Sequence, residues 1–591
     1  MQFQRVGRLA RVVGLIAVAT TLQAGSLLAQ DIKAVPRERT MIHVGWSAGA
    51  PTLTAPQNAN WFALGADTRN GQMYQFEPLF FYNMFKGEHI PWLAESFAYN
   101  SDFTSITVNI RNGVTWSDGE PFTANDVAFT LNMLVENGKG KKDLRKAVEI
   151  AEQVKQAVVE DKLKVRIDLN RADPRFVYRQ LTNYFGHGLY WVPEHIWKTI
   201  DDKAAFTFYD PAKGWPVGTG AWKVVRATPQ QMILDRRDDW WAAKTGFRPL
   251  PQVERIITVP SPNADRDVQL LANNEVDAAS AFPTPQLVKS LLEKNPKLTT
   301  FTGNKPPYGN LDWWPHSLYF NHLAPDSPFA DVKVRQAVRY AINRQQIVDV
   351  VFEGANQPVV QPYPSYAPLQ PYIKALDPVI KKYHADEFNP RETERLMKEA
   401  GYAKDGEGMW VKDGKRVGGP IESHPVLTAT TQAVVQQLRR AGFDARFSAT
   451  PDSFRKFRSG ETLWHVFGHN GGSIFDPIDT LRMYQTKNRA PIGQITFFVA
   501  RWSNPEFDGI TDKMEKLPVG DAQLQPMLVQ AMDIWMREAV EVPLENAYHW
   551  YPMNTTYWTN WPTEENPYIN PCQQCFDTSS VLIAHNLKPV K

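Results

Sequence analysis

Three short spacings in this 591-residue chain carry residue types able to do covalent or metal chemistry. Gly45-Trp46-Ser47-Ala48-Gly49 matches G-x-S-x-G and follows a predicted strand, as a hydrolase nucleophile elbow does. An elbow must run straight into a helix, and Pro51 and Pro56 oppose one there, so Ser47 is not read as a nucleophile. Cys572-Gln573-Gln574-Cys575 is a C-x-x-C spacing. Thioredoxin chemistry would need a βαβ context around it, and zinc a second pair of ligands. Cys572 and Cys575 are therefore expected to form a local disulfide. His465 and His469 are four apart, but a strand-turn context does not place them on one helical face, and the chain has no H-E-x-x-H. The sequence predicts no catalysis, no cofactor and no metal.

The elements that must position whatever site exists are those of a large mixed protein. The length suits two to four domains, and 43% apolar with 22% charged residues is ordinary for a globular chain. Lys+Arg 65 against Asp+Glu 63 leaves no basic excess for nucleic acid, and two cysteines exclude a disulfide scaffold. The unusual count is 19 Trp, which suits a surface that works by stacking, although most such rings belong in cores.

Arg5, Arg8 and Arg11 precede the apolar run Val12 to Ala19 and the segment Leu27-Leu28-Ala29-Gln30, the layout of a secretory signal with cleavage expected after Ala29 or, as the alternative, Ala24. Removing those three arginines takes the formal charge from +2 to about −1. No cysteine lies near the cut to carry a lipid, and no later stretch is apolar enough to span a bilayer. The expectation is a periplasmic protein that is not lipid-anchored.

Thr40 to Val44, Thr107 to Arg111, Leu163 to Leu169 and Phe443 to Phe447 read as strands. Thr123-Ala124-Asn125-Asp126 opens a helix as a capping box, with Val127, Leu131, Leu134 and Val135 at helical spacing behind it. Asn389-Pro390 opens another helix, and Thr430 to Ala441 is a third, stopped by Gly442. In the stretch from Pro328 to Val348, Asp331 and Asn343 start two helices; Arg335 and Arg339 are placed on the flank of an apolar stripe. Helices alternating with hairpins give mixed α/β lobes.

Several of these segments carry a resemblance. VTWSDGEPFTANDV (Val114 to Val127), PVGTGAW (Pro216 to Trp222), NNEVD (Asn273 to Asp277) and LYFN followed by PFADVKVRQAVRYAINRQQIV (Leu318 to Val348) resemble, in the same order, the family 5 extracellular solute-binding proteins, receptors of peptide, nickel and oligosaccharide ABC importers. The resemblance implies a two-lobe periplasmic-binding-protein clamshell. Residues 1–29 would be the signal, 30–304 with 546–591 the first lobe (an inserted subdomain near 81–204), and 305–545 the second. It also implies a monomer that closes on a small ligand and presents it to an inner-membrane permease.

In peptide-binding members of the family, a segment like GWxADYxDP supplies an Asp for the ligand's ammonium. Aligning on Asp476-Pro477 puts Ser473 in that place and Asn470 where the Trp would stand. A hydroxyl does not stabilise a buried ammonium, which needs a paired charge. Neutral groups such as Asn470 and Ser473 suit a hydroxyl-rich ligand, and aromatic faces suit its C–H surface. Trp61, Trp502, Trp550 and Trp558 add to the stock of such faces. The tail from Asn554 to Tyr568 resembles that of oligosaccharide-binding members. The expected ligand is an oligosaccharide of α-galactoside or β-glucoside type, with an oligopeptide as the alternative. The expected contacts are Trp46, Trp313, Trp314, Trp464, His469, Asn470, Gly471 and Ser473, whereas Trp116, Trp240 and Trp241 are read as packing.

Overall fold

Val165, Ile167 and Leu169 point to one side of their strand and are buried, while Lys164, Arg166 and Asp168 between them are not. This period of two recurs in a four-stranded antiparallel sheet ordered Ala94–Tyr99, Ser105–Ile110, Lys164–Leu169, Val154–Asp161. A second four-stranded sheet runs Thr40–Val44, Arg255–Val259, Gln231–Arg236, Trp222–Thr228, its first pair parallel. A five-stranded mixed sheet has the order Asp444–Ser448, Gly418–Ser423, Trp464–Gly468, His316–Phe320, Glu541–Glu545. These assignments come from a computed structural model that describes residues 32–45, 50–66, 68–184, 188–279, 284–313, 315–468, 472–571 and 578–591. Residues 1–34 and 35–591 are separate units, and all of these sheets belong to 35–591.

Helix starts follow the capping chemistry. Thr123 accepts from the Asn125 amide at 3.2 Å, and Asp126 accepts from the Thr123 amide at 2.8 Å, ahead of Ala124–Lys139. Asn389 caps Pro390–Glu399, and Asn343 caps Arg344–Phe352. The predicted helix near Thr430 spans Thr428–Arg440. Arg335 and Arg339 differ from expectation: both are buried rather than flanking. The Arg335 guanidinium donates to the carbonyls of Phe329 (2.7 Å) and Glu538 (2.6 Å), and that of Arg339 to Tyr383 (2.7 Å). An arginine fork can enter an interior when backbone acceptors of helix ends and turns meet its N–H groups.

The apolar interior is divided. One large core draws on residues from Met41 to Ala278 and from Met553 to Leu587. Two others, around Leu318–Leu544 and Tyr319–Val540, flank the five-stranded sheet. The chain passes to the other two between Leu298, in a further cluster that shares Val44 of the second sheet, and Leu318, and it returns between Leu544 and Met553. On these passages Asn310–Leu311 pairs antiparallel with Tyr548–His549, and Asp312 meets His549 at 2.8 Å. The first core on one side and the pair flanking the five-stranded sheet on the other, joined by these two crossings, make the two-lobe clamshell.

Gly218 and Gly220 of the P-V-G-T-G run are there for space. A Cβ on Gly218 would sit 1.9 Å from the Gln75 carbonyl oxygen, and one on Gly220 2.4 Å from that of Tyr74. Backbone cannot yield as a side chain does, so Gly218→Ala is expected to cost about 3 kcal/mol. A urea titration reads the loss directly; an unchanged midpoint would refute the contact.

Candidate functional site between the lobes

A fourth, smaller apolar cluster takes residues from both lobes: Tyr82, Met84, Tyr184, Trp313, Tyr366, Ile474, Phe475 and Tyr551. Tyr82 is delivered by the strand Phe80–Asn83, which pairs in parallel with Thr182–Asn183, and Tyr184 follows directly. Tyr178 comes from the helical turn Val177–Leu181. These tyrosines converge on Phe475 of the other lobe, with ring centroids at 4.3 Å for Tyr178 and 6.2 Å each for Tyr82 and Tyr184. Trp313 joins from just beyond the crossing strand Asn310–Leu311, and a Cβ on Gly472 would touch its ring at 3.4 Å. Tyr82 and Tyr184 meet Phe475 edge-to-face and Tyr178 meets it tilted, and rings packed in this way form a firm but apolar wall.

Charges cross the same junction. Arg175 donates through Nε at 2.6 Å to an Asp476 oxygen, and its Nη2 lies 2.5 Å from that oxygen, with both side chains wholly buried. Its Nη1 reaches the carbonyls of Glu515 (3.0 Å) and Leu517 (2.9 Å). Arg179 reaches Asp479 at 2.9 and 2.5 Å. Burial raises the Asp476 carboxyl above its ordinary range, with Arg175 opposing. Burial would raise Asp479 as well, but Arg179 and Arg482 outweigh it and hold that carboxyl below its usual value.

The expected contacts separate. Trp313 lies in the shared cluster. Ser473 is buried at the junction segment, where its hydroxyl accepts from the Thr480 amide at 2.9 Å. Trp464 sits inside a lobe core, 4.9 Å from the Phe329 ring, with its N–H donating to the Gly419 carbonyl at 3.3 Å. Trp46, Trp314, His469, Asn470, Gly471, Cys572 and Cys575 lie outside the described residues, as do Ser47 and the expected cleavage sites. His465 is stacked between Tyr319 and Phe457, away from any cluster able to hold a metal among the described residues. Trp116, Trp240 and Trp241 are buried, as the packing reading requires.

Sequence reasoning missed Tyr82, Tyr178, Tyr184, Arg175 and Arg179. No spacing could have found the arginines, whose partners lie 301 and 300 positions away. A cavity of about 610 Å³ opens elsewhere, between Asn132, Glu136, Lys198 and Asp202, and touches none of the junction residues.

An α/β clamshell with a ring-lined, charge-stitched junction between its lobes is the architecture of a solute receptor, and known proteins of that kind resemble it. The chain matches the model of the bacterial extracellular solute-binding proteins, family 5, over residues 88–491, and it belongs to that family. The family's members are substrate-binding receptors of ABC importers. The glutathione-binding protein of Pectobacterium atrosepticum is 29% identical over 316 residues, 52% of each chain, so this match spans about half of that relative. Heme-binding protein A of Haemophilus influenzae is 24% identical over 481 residues, 78% of this chain and 80% of its own. The crystal structure of a periplasmic oligopeptide-binding protein from Thermotoga maritima superposes with a TM-score of 0.78 at 21% identity, covering 94% of this chain and all of that one. Among the described residues no helix is long and apolar enough to cross a membrane.

Proposed function

We propose that this protein is the periplasmic receptor of an ABC importer and captures an oligosaccharide, of α-galactoside or β-glucoside type, between lobes formed by 30–304 with 546–591 and by 305–545. Export by a cleaved signal, a monomeric state, hand-over to an inner-membrane permease and the absence of catalysis belong to the same reading. Ligand would touch both lobes only when they are shut, so binding draws the population to the closed form.

The observation that carries the choice of ligand is the state of the acids at the junction. Asp476 and Asp479 are both engaged by arginines, and Ser473 stands where peptide-binding relatives place an acid. An ammonium arriving there would have to displace a pairing already made at each acid, that of Asp312 with His549 included. The rings of Tyr82, Tyr184, Trp313 and Phe475 instead suit the C–H faces of a sugar, with Trp46, Trp314, His469, Asn470 and Gly471 proposed alongside them as contacts. The Thermotoga fold has also been crystallised with mannohexaose, at a TM-score of 0.74 and 21% identity.

A peptide ligand is the second reading, favoured by the glutathione-binding name of the Pectobacterium relative. A melting-temperature screen over galactosides, cello- and manno-oligosaccharides, di- and tripeptides and glutathione separates them. A solute held only by the native state at a hundred times its Kd adds about 2.7 kcal/mol. Saccharides are expected to raise the melting temperature; a response confined to peptides would overturn the sugar reading and leave the receptor reading intact.

A further inference from the structure

We propose that His316 and His424, on the edge of the second lobe that faces the first, form a subsite for hydroxyl groups of the solute, one imidazole accepting a hydrogen bond and the other donating one. The subsite rests on the oligosaccharide reading and names two side chains that would recognise the hydroxyls.

Both rings stand where strands end. In the five-stranded sheet, Asp444–Ser448, Gly418–Ser423 and Trp464–Gly468 run parallel, and His316–Phe320 is antiparallel to them with His316 opposite Gly468. His424 follows Ser423 directly, its amide donating to the Val466 carbonyl at 3.4 Å. The carboxyl ends of the parallel strands therefore share one edge with His316, and Glu545 pairs beside it. Both crossings to the first lobe leave from that edge, through the paired segments Asn310–Leu311 and Tyr548–His549. The crevice outside the carboxyl ends of parallel strands is where open α/β sheets take their ligands.

The hydrogen bonds behind each ring fix what it presents in front. His316 Nδ1 lies 3.1 Å from a Glu545 oxygen that also accepts from the Thr430 hydroxyl at 3.0 Å, and the Glu545 side chain is wholly buried. A carboxylate oxygen accepts, so the proton of a neutral His316 is on Nδ1 and its Nε2 is a bare acceptor. His424 is the reverse. Its Nδ1 accepts from the Val426 amide at 3.4 Å, which leaves the ring proton on Nε2. Burial and then the neighbouring His316 hold the His424 pKa down at about 4, so this ring stays neutral at pH 7. Phe454 and Phe467 pack on it with centroids at 5.6 Å each. No hydrogen bond engages Nε2 of either ring among the described residues, and neither ring is sealed: the His316 side chain is 13% exposed and His424 is half-buried. A donor beside an acceptor suits hydroxyls, which do both; an ammonium offers only donors and a carboxylate only acceptors.

Calorimetric titration with raffinose and cellotetraose, and with monodeoxy derivatives of whichever binds, tests the pair. The wild type is expected to bind the parent sugar about tenfold more tightly than a derivative lacking a recognised hydroxyl, the scale of one hydrogen bond. His424→Phe keeps the packing on Phe454 and Phe467; it should weaken the parent about tenfold and bind parent and that derivative alike. His316→Gln, whose amide can still donate to Glu545, is the second variant and should lose discrimination at a different hydroxyl. Variants that bind as the wild type does, or that keep its preference for the parent over every deoxy derivative, would overturn the subsite and leave the oligosaccharide reading standing. A wild type that binds neither saccharide would overturn that reading and the subsite with it.

Discussion

Lowering the pH from 7 to 5 is expected to destabilise this protein steeply. His43 and His465 are wholly buried, and desolvation lowers their pKa values to about 4 and about 3. The Val44 carbonyl only partly offsets the loss at His43, and Arg501 adds to it at His465. An unfolded chain protonates both imidazoles near pH 6.5, so their contribution is present above that pH and lost as pH falls toward the folded values. His89, His322, His424 and His585 are displaced the same way, chiefly by burial, and act in the same sense. Glu77 and Asp267 oppose them. Burial raises these carboxyls to about 7 and about 6, so they favour the native state as pH drops through those values.

The buried histidines outnumber the carboxyls whose values are raised this far, so unfolding takes up protons near pH 5.5 and stability falls toward acid. Urea denaturation across that range measures it. His465→Phe keeps a ring between Tyr319 and Phe457 and should flatten the slope by about one proton. A stability profile that is flat, or that rises toward acid, would contradict the burial argument.

Two tryptophans should part company on truncation. Trp313→Ala removes a ring from the junction and is expected to weaken solute binding about 100-fold, the scale of one lost aromatic anchor. Each lobe keeps its own core, so the melting temperature of the free protein should drop by only a few degrees. Trp464→Ala empties a space inside one lobe, next to Phe329 and under Gly419, and should cost about 3–5 kcal/mol of stability. Calorimetric titration with the solute found by the thermal screen, alongside denaturation, separates the two effects. Equal affinity in Trp313→Ala and wild type would remove Trp313 from the site.

What was legible in the sequence is local chemistry. Thr123, Asn343 and Asn389 cap helices because their side chains reach amides two or three residues on, a distance that spacing encodes. The strand Thr40–Val44 and the inward residues of Lys164–Leu169 are visible for the same reason. The ordered motifs pointed to the family.

Long-range pairing left no trace. Nothing near Arg175 indicates Asp476, and the burial of Arg335 depends on carbonyls some 200 positions away, as at Glu538. The tryptophan count misled in proportion. Of the rings named as sugar platforms, Trp61 stacks on Tyr190 within the first core, and Trp550 lies against Phe352. Trp464, Trp502 and Trp558 are core residues too, which leaves Trp313 at the junction among those described. Abundance of a residue type does not say which way it faces.

The decisive experiment is a crystal structure of the complex with whichever solute most raises the melting temperature. The expected result is an uncharged, polyhydroxylated molecule enclosed by both lobes, packed on rings that include Trp313 and Phe475, with Asp476 still on Arg175. A solute seated outside the junction, or one whose ammonium is gripped there by a carboxylate, would contradict the oligosaccharide reading at its root.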